Sequence, residues 1–186
     1  MPDSLSEVID ELNAMGKQRD DAWQIPRVEG EMLRQIALAI GAKTIVEIGT
    51  SYGFSGLFWA SALRHTVGHL HTIDNNPRKY ESARDTFARA GVGDLITCYL
   101  GDARQILASM PGSIDLAFID ADKPSCRAYF DLLWPKLRAG GSVLTDNATT
   151  HRDELAEYVA YLRSRDDALS TEIAVGNGVE WTIKVP

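Results

Sequence analysis

Acidic and amide side chains recur in this sequence directly after short apolar runs. The positions are Glu47, Asp74, Asp102, Asp120 and the pair Asp146-Asn147. Carboxylates can accept the hydroxyl protons of a sugar, and together with an amide oxygen they form a hard ligand set for Mg²⁺, Mn²⁺ or Ca²⁺. Capping of the following helix would explain one or two of these acids, but it explains the whole set poorly.

A turn with two glycines follows the first of these runs. Gly49 and Gly53 allow a tight turn and a close approach of the backbone to a ligand. The dinucleotide fingerprint G-x-G-x-x-G fails because Ser51 takes the place of its second glycine, and no lysine follows as a phosphate loop requires. The pattern E-x-G-x-x-x-G, with Asp74 after the next run, indicates a nucleoside without a pyrophosphate. A purely structural turn is the alternative.

The second half of the sequence adds residues suited to a divalent cation. Asp120, Asp146 and Asn147 offer three oxygens, which leave about three octahedral positions for two substrate oxygens and a water. A bound cation lowers the pKa of a coordinated hydroxyl, as it does for water. Lys123, three residues after Asp120, is suited to act as general base. Taken singly, Asp146-Asn147 could be a plain turn, and Lys123 could be a solvated surface lysine. The combination of the four residues favours a catalytic metal site.

These residues can meet only if the runs end along one edge of a sheet. Strand and helix patterns alternate five times, which predicts a mostly parallel sheet with helices on both faces. Ligands of such sheets bind beyond the carboxyl ends of the strands. The predicted strands are 44–48, 70–74, 95–100, 114–119 and 142–145, and the predicted helices are 54–66, 77–90, 102–109, 124–138 and 151–165.

The two ends of the chain complete the predicted fold. Residues 4–17 and 29–40 carry apolar side chains at helical spacing. Two β-type runs, 171–175 and 180–184, flank Gly176-Asn177-Gly178 and predict an antiparallel hairpin. We expect one α/β domain over residues 1–186, with 1–40 as an N-terminal helical arm and 41–186 as a seven-stranded core.

Composition restricts the partners of the chain. The 186 residues are 45% hydrophobic and 24% charged, as in ordinary globular proteins, and the net charge of -7 argues against a protein that coats nucleic acid. The sequence contains no run of about 18 apolar residues, so no membrane span is predicted. The acidic N-terminus has no apolar stretch of a secretory signal, so we expect a cytoplasmic protein that does not bind membranes.

The glycine turn with Asp74 resembles the S-adenosylmethionine loop of class I methyltransferases. The wider sequence is similar to the metal-dependent O-methyltransferases of the catechol and caffeoyl-coenzyme A type, through Val28-Glu29-Gly30, Ala42 to Ser55, Phe118 to Lys123 and Gly140 to Asn147. This resemblance implies a Rossmann-like fold, S-adenosylmethionine and a divalent cation, foremost Mg²⁺. It also implies Asp120 and Lys123 as catalytic residues, and Asp120, Asp146 and Asn147 as metal ligands.

The same resemblance assigns residues to the methyl donor. Gly49 and Ser55 would hold its methionine end, Asp74 the ribose, and Asp102-Ala103 the adenine. The full donor-binding set is Glu47, Gly49, Ser51, Tyr52, Gly53, Ser55, Asp74, Asp102, Ala103 and Asp120. Two residues are candidate substrate contacts, Glu180 and Trp23. Glu180 lies in a turn similar to one in the catechol enzymes. Trp23 could wall a planar substrate, and the alternative is that it packs in the core.

The predicted reaction is methyl transfer to a hydroxyl of a small acceptor with adjacent oxygens. The same chemistry on hydroxylated uridine of tRNA remains an alternative, which the acidic charge weakens. A nucleoside-binding module without turnover is another, and the intact Asp120, Lys123, Asp146 and Asn147 argue against it. The region before residue 25 and the segment after Asn147 are shorter than in many relatives, so an open site is expected, and a homodimer is compatible with the sequence.

Overall fold

The computed structural model of this chain describes residues 4–110 and 112–186. Residues 1–3 and residue 111 lie outside the described part. The predicted domain, its helical arm and the acidic N-terminus begin at residues 1–3, and residue 111 belongs to the predicted core. Within the described ranges, no helix is long and apolar enough to cross a membrane.

One sheet of seven strands forms the centre of the fold. Its strands are β1 (Thr44–Ile48), β2 (His69–Asp74), β3 (Ile96–Leu100), β4 (Ile114–Ile119), β5 (Leu137–Asp146), β6 (Ala168–Ile173) and β7 (Val179–Lys184). They lie in the order β3-β2-β1-β4-β5-β7-β6. The first five strands are parallel, and β7 pairs antiparallel with both β5 and β6. The predicted mostly parallel sheet with a C-terminal antiparallel hairpin is confirmed.

Helices cover both faces of the sheet. They are α1 (Ser4–Gly16), α2 (Arg27–Ala39), α3 (Phe54–Thr66), α4 (Pro77–Arg89), α5 (Ala103–Ser109), α6 (Cys126–Leu133) and α7 (Arg152–Arg163). The apolar sides of α1 to α4 pack in one core cluster, and those of α5 to α7 pack in a second cluster on the opposite face. Helices α1 and α2 therefore share the core that the sheet builds with α3.

Three predicted elements have clearly different bounds in the structure. The helix predicted over 124–138 is α6 alone, flanked by 3₁₀ turns at Lys123–Ser125 and Trp134–Lys136. Pro124 and Pro135 lie in these turns, where proline lacks the N–H that a helix interior needs. Strand β5 begins at Leu137 instead of 142, and β6 spans 168–173 instead of 171–175, because pairing along β4 and β7 sets their limits.

The strand register places the predicted acids at one level. Ile48 at the end of β1 lies opposite Ile73 in β2 and Ile119 in β4. Ile119 in turn lies opposite Thr145 in β5. The residues that follow these positions are Gly49, Asp74, Asp120 and Asp146, so backbone pairing alone brings a glycine turn and three carboxylates to one edge of the sheet.

Candidate functional site

A cleft of about 930 Å³ opens at the carboxyl edge of the five parallel strands. This volume lies within the usual range of small-molecule sites. A small recess beside the cleft contains Ser55 together with Gly49 and Asp120. The predicted site residues that line the main cleft are Trp23, Gly49, Ser51, Asp74, Asp102, Ala103, Asp120, Lys123, Asp146 and Asn147.

The turn after β1 lies directly against the end of β4. Gly49 has a φ of +103°, and a Cβ atom on it would lie 2.0 Å from the backbone oxygen of Asp120. Only glycine avoids both the unfavourable φ and this overlap. The turn therefore packs directly on the backbone at the end of β4, and Gly49 also lines the cleft.

Asp74 is oriented by the backbone on both sides of it. Its Oδ2 accepts a hydrogen bond from the Ser51 N–H and its Oδ1 one from the Asn76 N–H, both at 2.8 Å. Each carboxylate oxygen retains further acceptor capacity. Asp74 can therefore accept two neighbouring hydroxyl protons, as the diol of a ribose would present them.

The far end of the cleft contains Asp102, which the resemblance assigns to the adenine, and further polar groups at Asp122 and Tyr129 that had no predicted role. Asp102 caps the start of α5 through the Arg104 N–H at 2.8 Å, and the Arg104 guanidinium pairs with the same carboxylate. Nearby, the Tyr129 hydroxyl donates to Asp122 Oδ1 at 3.0 Å. Asp122 lies in the segment Phe118 to Lys123, whose resemblance to the O-methyltransferases was the only indication in the sequence that it belongs to the site. These residues form a polar pocket beside Ala103.

Trp23 lies at the rim of the cleft. Its side chain is largely exposed, its φ is +44°, and the Lys79 ammonium lies 4.2 Å from the centre of its ring. This cation–π contact places a flat aromatic surface over the side of the cleft that Asp74 lines. Trp23 is thus a cleft-lining residue and not a core residue, and its contact with a substrate stays a prediction.

Three of the predicted donor-binding residues line neither the main cleft nor the recess that contains Ser55. Tyr52 points to the surface, where its hydroxyl donates to Asp21. Gly53 packs beneath the turn against Phe87. Glu47 is fully buried and accepts hydrogen bonds from the Trp59 indole at 2.9 Å and from the Thr72 hydroxyl at 2.7 Å. These residues shape and support the turn instead of facing a ligand.

The burial of Glu47 predicts a pH-dependent stability. Burial raises the pKa of Glu47 from 4.5 to about 7, so the folded chain holds this proton more tightly than the unfolded chain. Its stabilising effect is full below pH 4.5 and is lost as the pH rises through about 7, by up to ~1.4 kcal/mol per pH unit. We expect Glu47→Gln to remove this part of the slope in urea unfolding experiments.

The wild-type chain in chelator is the control for this measurement. The amide oxygen of glutamine can still accept from the Trp59 indole, and its NH₂ can donate to the Thr72 hydroxyl, so the packing is preserved. If the two proteins lose stability in parallel over this pH range, Glu47 does not titrate as its burial requires.

Two carboxylates meet where β4 and β5 end. The Asp146 side chain is buried and that of Asp120 is 15% exposed, and burial together with the nearby charge of Asp146 raises the pKa of Asp120 well above its ordinary value. Asp146 accepts from the Asn147 N–H at 2.6 Å and from the Asn177 side-chain amide at 3.3 Å. Two buried like charges destabilise one another unless a cation or a proton compensates them.

An amide oxygen completes this oxygen cluster. Asn147 has a φ of +70°, a conformation that asparagine tolerates better than most residues, and its Nδ2 donates to Thr150 at 3.1 Å, which leaves Oδ1 unused. Among the described residues, no three His, Cys, Asp or Glu side chains form a metal site. The residues fit a hard divalent cation only as two carboxylates plus this amide oxygen.

Lys123 lies beside the carboxylates. Its ammonium is 3.8 Å from Asp120 Oδ1 and donates to the backbone oxygen of Ala121 at 3.0 Å. Only 10% of its side chain is exposed. The structure thus brings an amine into the cleft next to Asp120, which is the position that a proton acceptor for a bound hydroxyl requires.

Behind Asp146 lies a third carboxylate that the sequence assigned no role. Glu29 of α2 is fully buried, and its Oε2 accepts from the Asn177 N–H at 2.9 Å. Burial and the charge of Asp146 raise the pKa of Glu29 to about 9. The signal in the sequence was the segment Val28-Glu29-Gly30, but nothing local indicated a contact with residues so far along the chain.

Glu180 is not part of the cleft, so its predicted placement as a substrate contact was wrong. It is 1% exposed, and Arg163 of α7 binds both of its oxygens, at 2.8 and 2.7 Å. Ser170 of β6 donates to it at 2.7 Å. These partners occupy the carboxylate, because the alternation of β7 turns this side chain away from the cleft.

Comparison with known proteins identifies the sequences and structures that this chain resembles. The family model described as O-methyltransferase matches residues 3–161. Catechol O-methyltransferase of Mycobacterium tuberculosis is 35% identical over 143 residues, covering 74% of this chain and 64% of that protein. Caffeoyl-CoA O-methyltransferase 2 of Zea mays is 32% identical over 165 residues, covering 82% of this chain and 62% of that protein.

A solved structure agrees over the whole fold. The O-methyltransferase TomG from Streptomyces achromogenes, crystallised with S-adenosylmethionine, is 27% identical with a TM-score of 0.83, covering 100% of this chain and 91% of that one. The matches to the two curated relatives span less than two thirds of the length of each.

Proposed function

The chain belongs to the O-methyltransferase family, and from this premise we propose that it transfers a methyl group from S-adenosylmethionine to a hydroxyl of a small acceptor. The observation that carries this proposal is that one cleft is lined both by the glycine turn with Asp74 and by the oxygen cluster of Asp120, Asp146 and Asn147. One half of the cleft is thus suited to a nucleoside, and the other half is suited to a vicinal diol.

We assign the donor to the side of the cleft formed by β1 to β3. Asp74 would hold the ribose hydroxyls, and the backbone at Gly49 with the side chain of Ser55 would bind the methionine end. The pocket at Ala103, with Asp102, would accept the adenine. These contacts fix the position of the methyl group, and positioning of reactants is a major source of rate in a bimolecular transfer.

The acceptor would lie over Asp120, Asp146 and Asn147. A divalent cation held by these three oxygens, foremost Mg²⁺, would supply Lewis acidity that makes an acceptor hydroxyl more acidic. Lys123 would remove the proton from that hydroxyl. The resulting oxygen attacks the methyl carbon in line with the departing sulfur, so a negative and a positive charge neutralise each other.

The charge of the cleft supports a small acceptor over RNA. Its walls include five aspartates, Asp74, Asp102, Asp120, Asp122 and Asp146, against the cations Lys79, Arg104 and Lys123. A phosphate backbone requires an excess of cationic groups. We therefore propose a catechol-like acceptor with adjacent oxygens, in keeping with the names of the two curated relatives.

A screen of acceptors with radiolabelled S-adenosylmethionine tests this proposal. The panel contains catechol, a caffeoyl thioester, a phenol with a single hydroxyl and a bulk tRNA fraction, each with Mg²⁺ and with chelator. We expect Mg²⁺-dependent label in the adjacent-oxygen compounds and none in the single phenol. Label in tRNA alone would overturn the acceptor class, and donor binding without transfer to any acceptor would identify a module without turnover.

A further inference from the structure

We propose that Glu29 is a positioning residue for Asp146 and acts on it through Asn177. The inference rests on the proposed function, because it concerns the cation site of Asp120, Asp146 and Asn147. Glu29 does not line the cleft, so it acts through other residues and not on the reacting atoms. The three residues come from α2, from the end of β5 and from the turn between β6 and β7.

The first contact joins α2 to the turn. Glu29 Oε2 accepts the Asn177 N–H at 2.9 Å, although the two residues are 148 positions apart. Gly176 has a φ of +62°, and a Cβ atom on it would lie 2.4 Å from the same oxygen. The turn therefore packs directly on the Glu29 carboxylate, at a position where a side chain has no space.

The second contact joins the turn to the cation site. The Asn177 side-chain amide donates to Asp146 Oδ2 at 3.3 Å. The backbone oxygen of Asn177 accepts hydrogen bonds from the Thr149 and Thr150 N–H groups, both at 3.1 Å. Asn177 therefore holds the Asp146 carboxylate and the segment that follows Asn147 at the same time, and Glu29 fixes the backbone of Asn177.

The position of Glu29 is costly for a residue with only a packing role. It is fully buried, and its carboxyl group lies beside that of Asp146. A neutral acceptor would satisfy the Asn177 N–H without a second carboxylate beside Asp146. Proteins retain such costly groups mainly at functional sites. Partners that orient metal ligands typically change metal affinity by about 10- to 100-fold when removed.

The test measures Mn²⁺ affinity by electron paramagnetic resonance, with no acceptor and no turnover. Glu29→Ala and Asn177→Ala should each weaken Mn²⁺ binding by about tenfold. If both act through one path, the double variant should also lose about tenfold, whereas independent effects would multiply to about a hundredfold. Glu29→Gln keeps an acceptor for the Asn177 N–H and should stay within about threefold of wild type.

Two controls separate positioning from a general loss of structure. Affinity for S-adenosylmethionine should be unchanged in every variant. Glu172→Ala is the matched control, because Glu172 accepts from the Thr149 hydroxyl at 2.6 Å but has no bond to Asp146. It should bind Mn²⁺ as the wild type does. Wild-type Mn²⁺ affinity in Glu29→Ala and Asn177→Ala would overturn this inference alone, whereas a wild-type chain without Mn²⁺ affinity would overturn the metal site and the inference together.

Discussion

Replacing Asp146 with alanine is expected to lower the rate of methyl transfer by about 10³-fold and to leave donor binding within about threefold of wild type. Asp146 provides one of the two carboxylates of the oxygen cluster, and it lies at the end of β5, on the opposite side of Asp120 from the donor-binding strands. Its removal leaves Asp120 and Asn147, which are too few ligands for a hard divalent cation.

The same variant makes a prediction about stability that distinguishes loss of function from loss of fold. Asp146 adds a buried negative charge beside Asp120 and Glu29, and this charge raises the pKa of both neighbours. In chelator, Asp146→Ala should therefore unfold at the same or a higher urea concentration than the wild type. The measurements are the initial rate with Mg²⁺, the donor affinity by calorimetry and the urea midpoint.

Asp146→Ala with near wild-type activity would show that the cluster does not support the reaction. A fall in activity with an equal fall in the urea midpoint would instead assign Asp146 a structural role. Asp115→Ala is a useful comparison, because Asp115 is an acid at the opposite end of β4, paired with Arg138. It should leave the rate per folded molecule unchanged.

Replacing Lys123 with methionine is expected to lower kcat by about 10² to 10⁴-fold, which is the usual contribution of a general base. Methionine keeps much of the length of the buried side chain but has no amine. The amine lies 3.8 Å from Asp120 and is nearly enclosed, so bulk solvent does not readily replace it. The affinities for S-adenosylmethionine and for Mn²⁺ should remain within about threefold of wild type.

The division of the effect between kcat and Mn²⁺ affinity separates a base from a charge that only binds. A base acts in the chemical step, so Lys123→Met should lower kcat while Mn²⁺ affinity is retained. Lys43→Met is the control, since Lys43 is exposed at the start of β1, at the other edge of the sheet. Wild-type kcat in Lys123→Met, or a loss of Mn²⁺ affinity that accounts for the whole effect, would contradict the assignment of Lys123 as base.

The main features of the site were predictable because they depend on backbone geometry. Parallel strands end along one edge whatever their side chains, so Asp74, Asp120 and Asp146 were expected to meet there. The glycine requirement at position 49 follows from the short distance to the Asp120 backbone. Neither feature depends on details of packing, which sequence patterns describe poorly.

Side-chain orientation was the part that the sequence did not predict. Glu47 and Glu180 both lie next to functional turns, but strand alternation points them into buried networks with Trp59 and with Arg163. Glu29 meets Asn177 only through tertiary packing of α2 on the hairpin turn. Contacts between residues so far apart in the chain leave no periodic signal in the sequence.

The most direct test of the account is methyl transfer to catechol before and after removal of divalent cations. We predict that transfer from S-adenosylmethionine stops in EDTA and returns when Mg²⁺ or Mn²⁺ is added in excess, since Asp120, Asp146 and Asn147 offer only oxygen ligands. Donor binding in EDTA, measured on the same sample, should stay unchanged. Full activity in the presence of EDTA would contradict the proposed metal-dependent reaction.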